Sequence, residues 1–159
     1  PLSNLTSLHT LSLYENQIVD IAPLSNLLNL EDLYLVNNRI EDISNLASPN
    51  FPELISLYLS DNMLTDITPL ANRSFIVSLY LNGNSIEDIS PLSNMKVWDT
   101  LDLSGNQIKD ISPLLANFRM NKDEGIINLK SNPLSQKSIN EYIPSLEREG
   151  YDIRWNENY

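Results

Sequence analysis

Apolar and polar positions recur along the chain at a fixed spacing. Leu8-x-x-Leu11-x-Leu13 is followed by Asn16, Ile18, Asp20, Ile21, Pro23 and Leu24; Leu101-x-Leu103 is followed by Asn106, Ile108, Asp110, Ile111, Pro113 and Leu114. Aligned on asparagine, the units centre on Asn16, Asn38, Asn62, Asn84, Asn106 and Asn132, separated by 22, 24, 22, 22 and 26 residues. A chance apolar spacing does not hold its register through so many units. In Leu11-Ser12-Leu13 and its equivalents, apolar and polar residues alternate with the period of a strand, so the leucines point inward and the residues between them point out. The asparagine sits where the strand must turn. Its amide donates and accepts, so it can satisfy backbone groups that a turn leaves unpaired, and stacked units would align Asn16, Asn38, Asn62, Asn84, Asn106 and Asn132 into a ladder.

After the asparagine, Asp20, Asp66, Asp88 and Asp110 lead into Pro23, Pro69, Pro91 and Pro113, whereas Asp42 leads to Asn45. Thr68, Ser90 and Ser112 read as helix N-caps, with proline at the first helical position after each. Only a few residues remain before the next strand, so the outer segment is a short 3₁₀ or single α turn. The whole matches the leucine-rich-repeat pattern L-x-x-L-x-L-x-x-N-x-L. The predicted fold is an α/β solenoid: a right-handed array with a concave parallel sheet and short 3₁₀/α turns on the convex side. Residues 1–134 form the array, a partial first repeat and six strand-bearing ones, and residues 135–159 form a C-terminal cap.

Two insertions break the period, around Ala47–Pro52 and around Asn117–Glu124. Both fall after the outer turn and should bulge there or on the adjoining edge while the strands keep register. The chain opens on Pro1-Leu2-Ser3-Asn4-Leu5, a copy of Pro23-Leu24-Ser25-Asn26-Leu27. It is expected to start within a repeat, as part of a longer parent, with Leu2, Leu5, Leu8 and Leu11 at an open end of the core. At the other end, Ser138-x-x-Glu141 has the spacing of a capping box. Pro144 breaks or restarts that helix, Gly150 fits a C′ position, and Tyr151–Trp155 alternates like a last strand.

Composition removes several functional classes. The 159 residues carry 21 Asp and Glu against 10 Lys and Arg, a net charge of −11. An excess of that size repels nucleic acid and anionic lipid surfaces. With no cysteine there is no disulfide, cysteine-ligated zinc or cysteine nucleophile. No apolar run approaches the roughly 20 residues of a membrane span, so no membrane insertion is expected. His9 is the only histidine; the next repeat places Glu31 and Asp32 near it, but nothing supplies an activated nucleophile. The Asp and Asn columns form ladders at strand spacing, not a cage of calcium ligands. Catalytic residues, metal ligands and cofactors are therefore all expected to be absent.

The outward columns carry the functional signal. The position between the strand leucines reads Ser12, Tyr34, Tyr58, Tyr80, Asp102 and Asn128, and two residues later stand Tyr14, Val36, Ser60, Asn82, Ser104 and Lys130. The three consecutive tyrosines form an aromatic stripe with Tyr14 and Val36 beside it. Glu15, Glu31, Asp32, Asp61 and Asp102 flank it. Tyrosine joins a large apolar surface to a hydroxyl and is enriched in interface hot spots, so Tyr14, Tyr34, Val36, Tyr58, Tyr80, Glu31, Asp32, Asp61 and Asp102 are the candidate binding face. The carboxylates favour a basic partner. A solvated ladder with no ligand is the competing reading, since aromatic residues also fit strands for their own sake.

The 22-residue unit with its Asp-Ile-x-Pro-Leu segment resembles the internalin-type leucine-rich repeats of bacterial surface proteins. The final Asn-Pro-Leu-Ser…Ile-Pro-x-Leu…Gly segment resembles the cap that closes many such arrays. The resemblance implies an adhesion or recognition module, often fused to other domains and displayed outside the cell. The expected function is thus non-enzymatic recognition of a protein partner through the concave face. A spacer or stalk, and an accessory interaction domain of a larger enzyme, stand as alternatives. A glycan is the other ligand class considered, because tyrosine faces stack on sugars.

Overall fold

In this computed structural model the residues described are 2–47, 50–71, 73, 75–115, 118–121 and 125–156. Eight strands form one parallel sheet: β1 (Thr10–Ser12), β2 (Asp32–Tyr34), β3 (Ser56–Tyr58), β4 (Phe75–Tyr80), β5 (Lys96–Asp102), β6 (Arg119–Met120), β7 (Ile126–Asn128) and β8 (Asp152–Arg154). Their order is β1-β2-β3-β4-β5-β7-β8, with β6 paired to the front of β5 alone. Register follows the repeat: Leu11, Leu33, Leu57, Leu79, Leu101, Ile127 and Ile153 lie in one row. One turn of chain per strand is a parallel solenoid, and the inward rows bury its core.

Opposite the sheet, each repeat makes a three-residue 3₁₀ turn: Leu2–Asn4, Ala22–Leu24, Ser44–Leu46, Thr68–Leu70, Ser90–Leu92 and Ser112–Leu114. The residues that cap these turns differ from the sequence reading. Thr68, Ser90 and Ser112 lie inside the turn, and the aspartate two residues earlier does the capping. Asp20, Asp42, Asp66 and Asp88 each accept the backbone N–H two residues on at 2.7 Å, and Asp110 does so at 2.9 Å. This is an Asx turn, which a short carboxylate side chain makes readily. The Ser90 and Ser112 hydroxyls donate back to the same aspartates at 2.9 and 2.8 Å. Between each aspartate and its turn, Ile21, Ile43, Ile67, Ile89 and Ile111 are buried.

The described part of the first insertion packs onto the core. Phe51 is fully buried at a positive φ of 51°. Over it lies the guanidinium of Arg73, also buried, which donates to the carbonyls of Leu46, Asn50 and Phe51 at 2.7–3.1 Å. Burial depresses its pKa, and the three carbonyls take the place of a carboxylate counter-ion. Residues 48–49 of this insertion, and 117 and 122–124 of the second, lie outside the described residues. In the second insertion, Phe118 is buried and Arg119–Met120 forms β6.

The two ends are built differently. Leu5 is 47% exposed, and Leu2, Leu8 and Leu13 are only partly buried. Their counterparts one repeat on, Leu24, Leu27, Leu30 and Leu35, are at most 3% exposed. At the C-terminal end a helix covers the last repeat. The expected cap at Ser138 is not there: helical backbone runs from 136 to 148, and Ser135 Oγ accepts the Ser138 N–H at 3.1 Å. Ser138 is instead buried, donating to Lys109 O and accepting from Ile111 N–H, so it ties the helix to the array. A wide π turn, Ser138–Tyr142, precedes α1 (Ile143–Arg148). Pro144 has no N–H for a regular i−4 bond, and the wide turn accommodates it. Gly150 (φ 96°) ends the helix. Its N–H bonds Glu147 O, and that of Tyr151 bonds Leu146 O, the paired geometry of a Schellman cap.

Candidate functional site

The asparagine column builds the floor under the sheet face. Asn84 Nδ2 donates to Leu81 O at 2.9 Å within its repeat and to Leu59 O of the preceding one at 3.0 Å, and its Oδ1 accepts Leu64 N–H at 3.0 Å. Asn38, Asn62, Asn106 and Asn132 repeat this pattern against Leu13, Leu35, Leu81 and Leu103. Asn38, Asn62, Asn84 and Asn106 are buried and Asn132 is half-buried. Asn16 departs from it: its side chain is exposed and its Nδ2 donates to Leu13 O and Tyr14 O of its own repeat. The residue before each asparagine is left-handed, with φ of 55–67° at Glu15, Asn37, Asp61, Gly83, Gly105 and Ser131. That corner re-aims the chain away from the sheet. Gly83 adopts this corner without strain at φ 67°; a Cβ there would meet the Asp61 carboxylate, a side chain free to turn aside.

Above this floor, register brings Tyr34, Tyr58 and Tyr80 side by side. Their rings stack, with centroids 4.3 and 4.8 Å apart and both interplanar angles 13°. Strand spacing sets the interval, about 4.8 Å. The consequence is a ridge that presents ring edges and hydroxyls. Both faces of Tyr58 are covered by its neighbours, and only the outer faces of Tyr34 and Tyr80 are open. Burial, then the Tyr34 hydroxyl, then the charge of nearby groups, push the Tyr58 pKa up to about 12.

Around the ridge, Tyr14 is exposed and Val36 half-buried. Thr10 donates to Asp32 at 3.3 Å, and His9 Nδ1 pairs with Glu31 at 2.8 Å. Asp102 accepts from Ser104 and from Asn128 Nδ2. Ser60 donates to Asn82 in the row beside the tyrosines. Glu15 and Asp61 stand exposed at the left-handed corners, one residue beyond the Tyr14 row. The face thus gathers the candidate tyrosines with Asp32, Glu31 and Asp102, while Glu15 and Asp61 edge it. The binding between Ser60 and Asn82 and the corner column were not read from the sequence. The column had a signal in Asn37, Gly83 and Gly105, residue types that tolerate positive φ. Among the described residues no group of three or more His, Asp or Glu side chains is placed to hold a metal ion.

The sequence model of the leucine-rich-repeat family, in its two-copy form, matches residues 6–48, 28–72 and 76–116. The chain belongs to the leucine-rich-repeat family. Its repeats are of internalin type. The array is similar to internalin C2 of Listeria monocytogenes: 42% identity over 74% of this chain and 52% of that one, with a TM-score of 0.64. It is similar to the internalin inlF of the same organism at 30% identity, over 98% of this chain and 55% of that one, TM-score 0.62. A leucine-rich-repeat protein of Leptospira interrogans shares the fold, at 24% identity over 96% of this chain and 44% of that one, TM-score 0.67. The chain therefore spans about half the length of these solved relatives. No curated protein matches it significantly.

Proposed function

We propose that this array is a recognition module that binds a protein partner through the outward face of its sheet, centred on Tyr34, Tyr58 and Tyr80. The observation that carries this reading is the three-ring stack. It is a rigid, pre-ordered amphipathic ridge, and a partner that docks on it orders few side chains. The flanking carboxylates Glu31, Asp32 and Asp102, with Glu15 and Asp61 at the edge, favour a basic surface on that partner and speed its approach. The edge-on geometry favours a protein over a glycan, because a sugar ring stacks on an open aromatic face and Tyr58 offers none. The internalin-type repeats support display at the bacterial cell surface or secretion. No helix among the described residues is long and apolar enough to cross a membrane.

The test is an array of extracellular receptor domains probed with chains carrying a photo-crosslinker at Val36, on the sheet face, or at Glu87, on the far side. Covalent capture from Val36 alone supports the reading. Capture of the same partner from Glu87 alone contradicts it.

A further inference from the structure

The tyrosine stack ends differently on its two sides. Beyond Tyr80 the row continues with Asp102. Both its oxygens are occupied, Oδ1 by the Ser104 N–H and hydroxyl at 2.9 and 2.6 Å, and Oδ2 by Asn128 Nδ2 at 3.1 Å. Beyond Tyr34 the row continues with Ser12, which is exposed and carries no ring. The outer face of Tyr34 therefore opens onto a slot one strand spacing wide, about 4.8 Å, the interval at which the rings themselves stack. Asp32 bounds the slot from below. It lies two residues before Tyr34 on the same face and leans toward β1, where the Thr10 hydroxyl donates to its Oδ2 at 3.3 Å. Its Oδ1 accepts no hydrogen bond among the described residues. Tyr14, 58% exposed, stands two residues beyond Ser12. Glu31 is engaged by His9 and Glu15 stands one residue past Tyr14 at the corner, so Asp32 is the carboxylate on the Tyr34 strand with an oxygen open to a ligand.

We propose that this slot takes an arginine side chain of the protein partner, its guanidinium stacked on the outer face of Tyr34 and paired with Asp32 Oδ1. The proposal rests on the sheet face being the recognition surface and names the residue type that face selects. Only a planar cation satisfies both walls. Lysine is a compact, strongly hydrated point charge that pairs with Asp32 but does not continue the stack. A neutral planar group stacks but leaves the carboxylate unpaired. Guanidinium does both, with the donor fork that suits a carboxylate and the flat face that suits a tyrosine.

The experiment is a titration of the ¹⁵N-labelled chain with a blocked Gly-Gly-Arg-Gly-Gly peptide, followed by NMR, beside matched peptides carrying lysine or citrulline. The arginine peptide should shift signals of Ser12, Tyr14, Asp32 and Tyr34, and bind about threefold to tenfold tighter than either control. Ser12→Tyr, which extends the stack across the slot, should abolish the response. Ser12→Ala should keep it, and Asp32→Asn should reduce it to the citrulline level. No localised response, equal binding of arginine and citrulline, or a response that survives Ser12→Tyr would overturn the slot. The wider reading fails separately. A protein partner held by Ser12→Tyr but lost on Tyr34, Tyr58 and Tyr80 truncation removes the slot and keeps the face, whereas one held by both removes the face.

Discussion

At the scale of single residues, the asparagine column does work that no apolar residue can. Each buried amide closes bonds within its own repeat and to the one before, so it joins neighbours where the leucines only pack. Asn84→Ala leaves Leu59 O and Leu64 N–H without this partner, and chemical denaturation should register a loss of about 1–3 kcal/mol. Asn16→Ala, at the exposed and incompletely bonded end of the column, should register much less. Tyr58 makes a second prediction. Its proton is held more tightly in the folded chain, at about 12 against an ordinary 10.0. The associated stability is complete below pH 10 and declines as pH rises toward 12, because the unfolded chain ionises first. Denaturation series across that range should reveal the decline in the native chain and a shallower one in Tyr58→Phe. Both residues were legible in the sequence as columns. The stacking of the rings was not, because spacing fixes which strand a tyrosine stands on but not the rotamer it adopts.

At the scale of elements, the repeat unit is strand, left-handed corner, Asx-capped 3₁₀ turn. Its strands and outer turns follow from periodicity and proline placement, and both were readable. Ser and Thr are strong N-caps in general, but here they fall inside the turn, and the aspartate two residues earlier accepts their own backbone N–H. Asp88→Ala should therefore cost about 1 kcal/mol, with Ser90→Ala costing clearly less; thermal melts of the two variants decide between the residues. The same competition displaced the cap of the C-terminal helix from Ser138 to Ser135, since Ser138 is drawn into the array by Lys109 O. Arg73 was invisible in the sequence for a different reason. Its partners are three carbonyls about one repeat away, and carbonyl orientation leaves no mark on residue type.

At the scale of the whole molecule, stability is a sum over neighbours, so an end with one neighbour is weaker than the middle. The N–H groups of Leu13 and Leu81 occupy equivalent positions and make sheet bonds of equal length, 2.8 Å, to Tyr34 O and Asp102 O. Hydrogen exchange should nevertheless be faster at Leu13, which lies beside the half-exposed leucines of the open end, than at Leu81. Slower exchange at Leu13 would mean that the first repeat is not the weak link. The opposite end, closed by α1 and β8, should resist exchange throughout β7. The sheet so stabilised holds three rings in a rigid row, the row we propose a partner reads. The most direct test measures the affinity of a captured protein partner, by biosensor, for the native chain and for the Tyr34→Ala, Tyr58→Ala, Tyr80→Ala triple variant, with melting curves taken alongside. Binding should be about thirtyfold weaker or more, equivalent to about 2 kcal/mol, with a cooperative melt retained because the core leucines are untouched. Undiminished affinity in a folded triple variant would contradict that reading and leave the array a spacer.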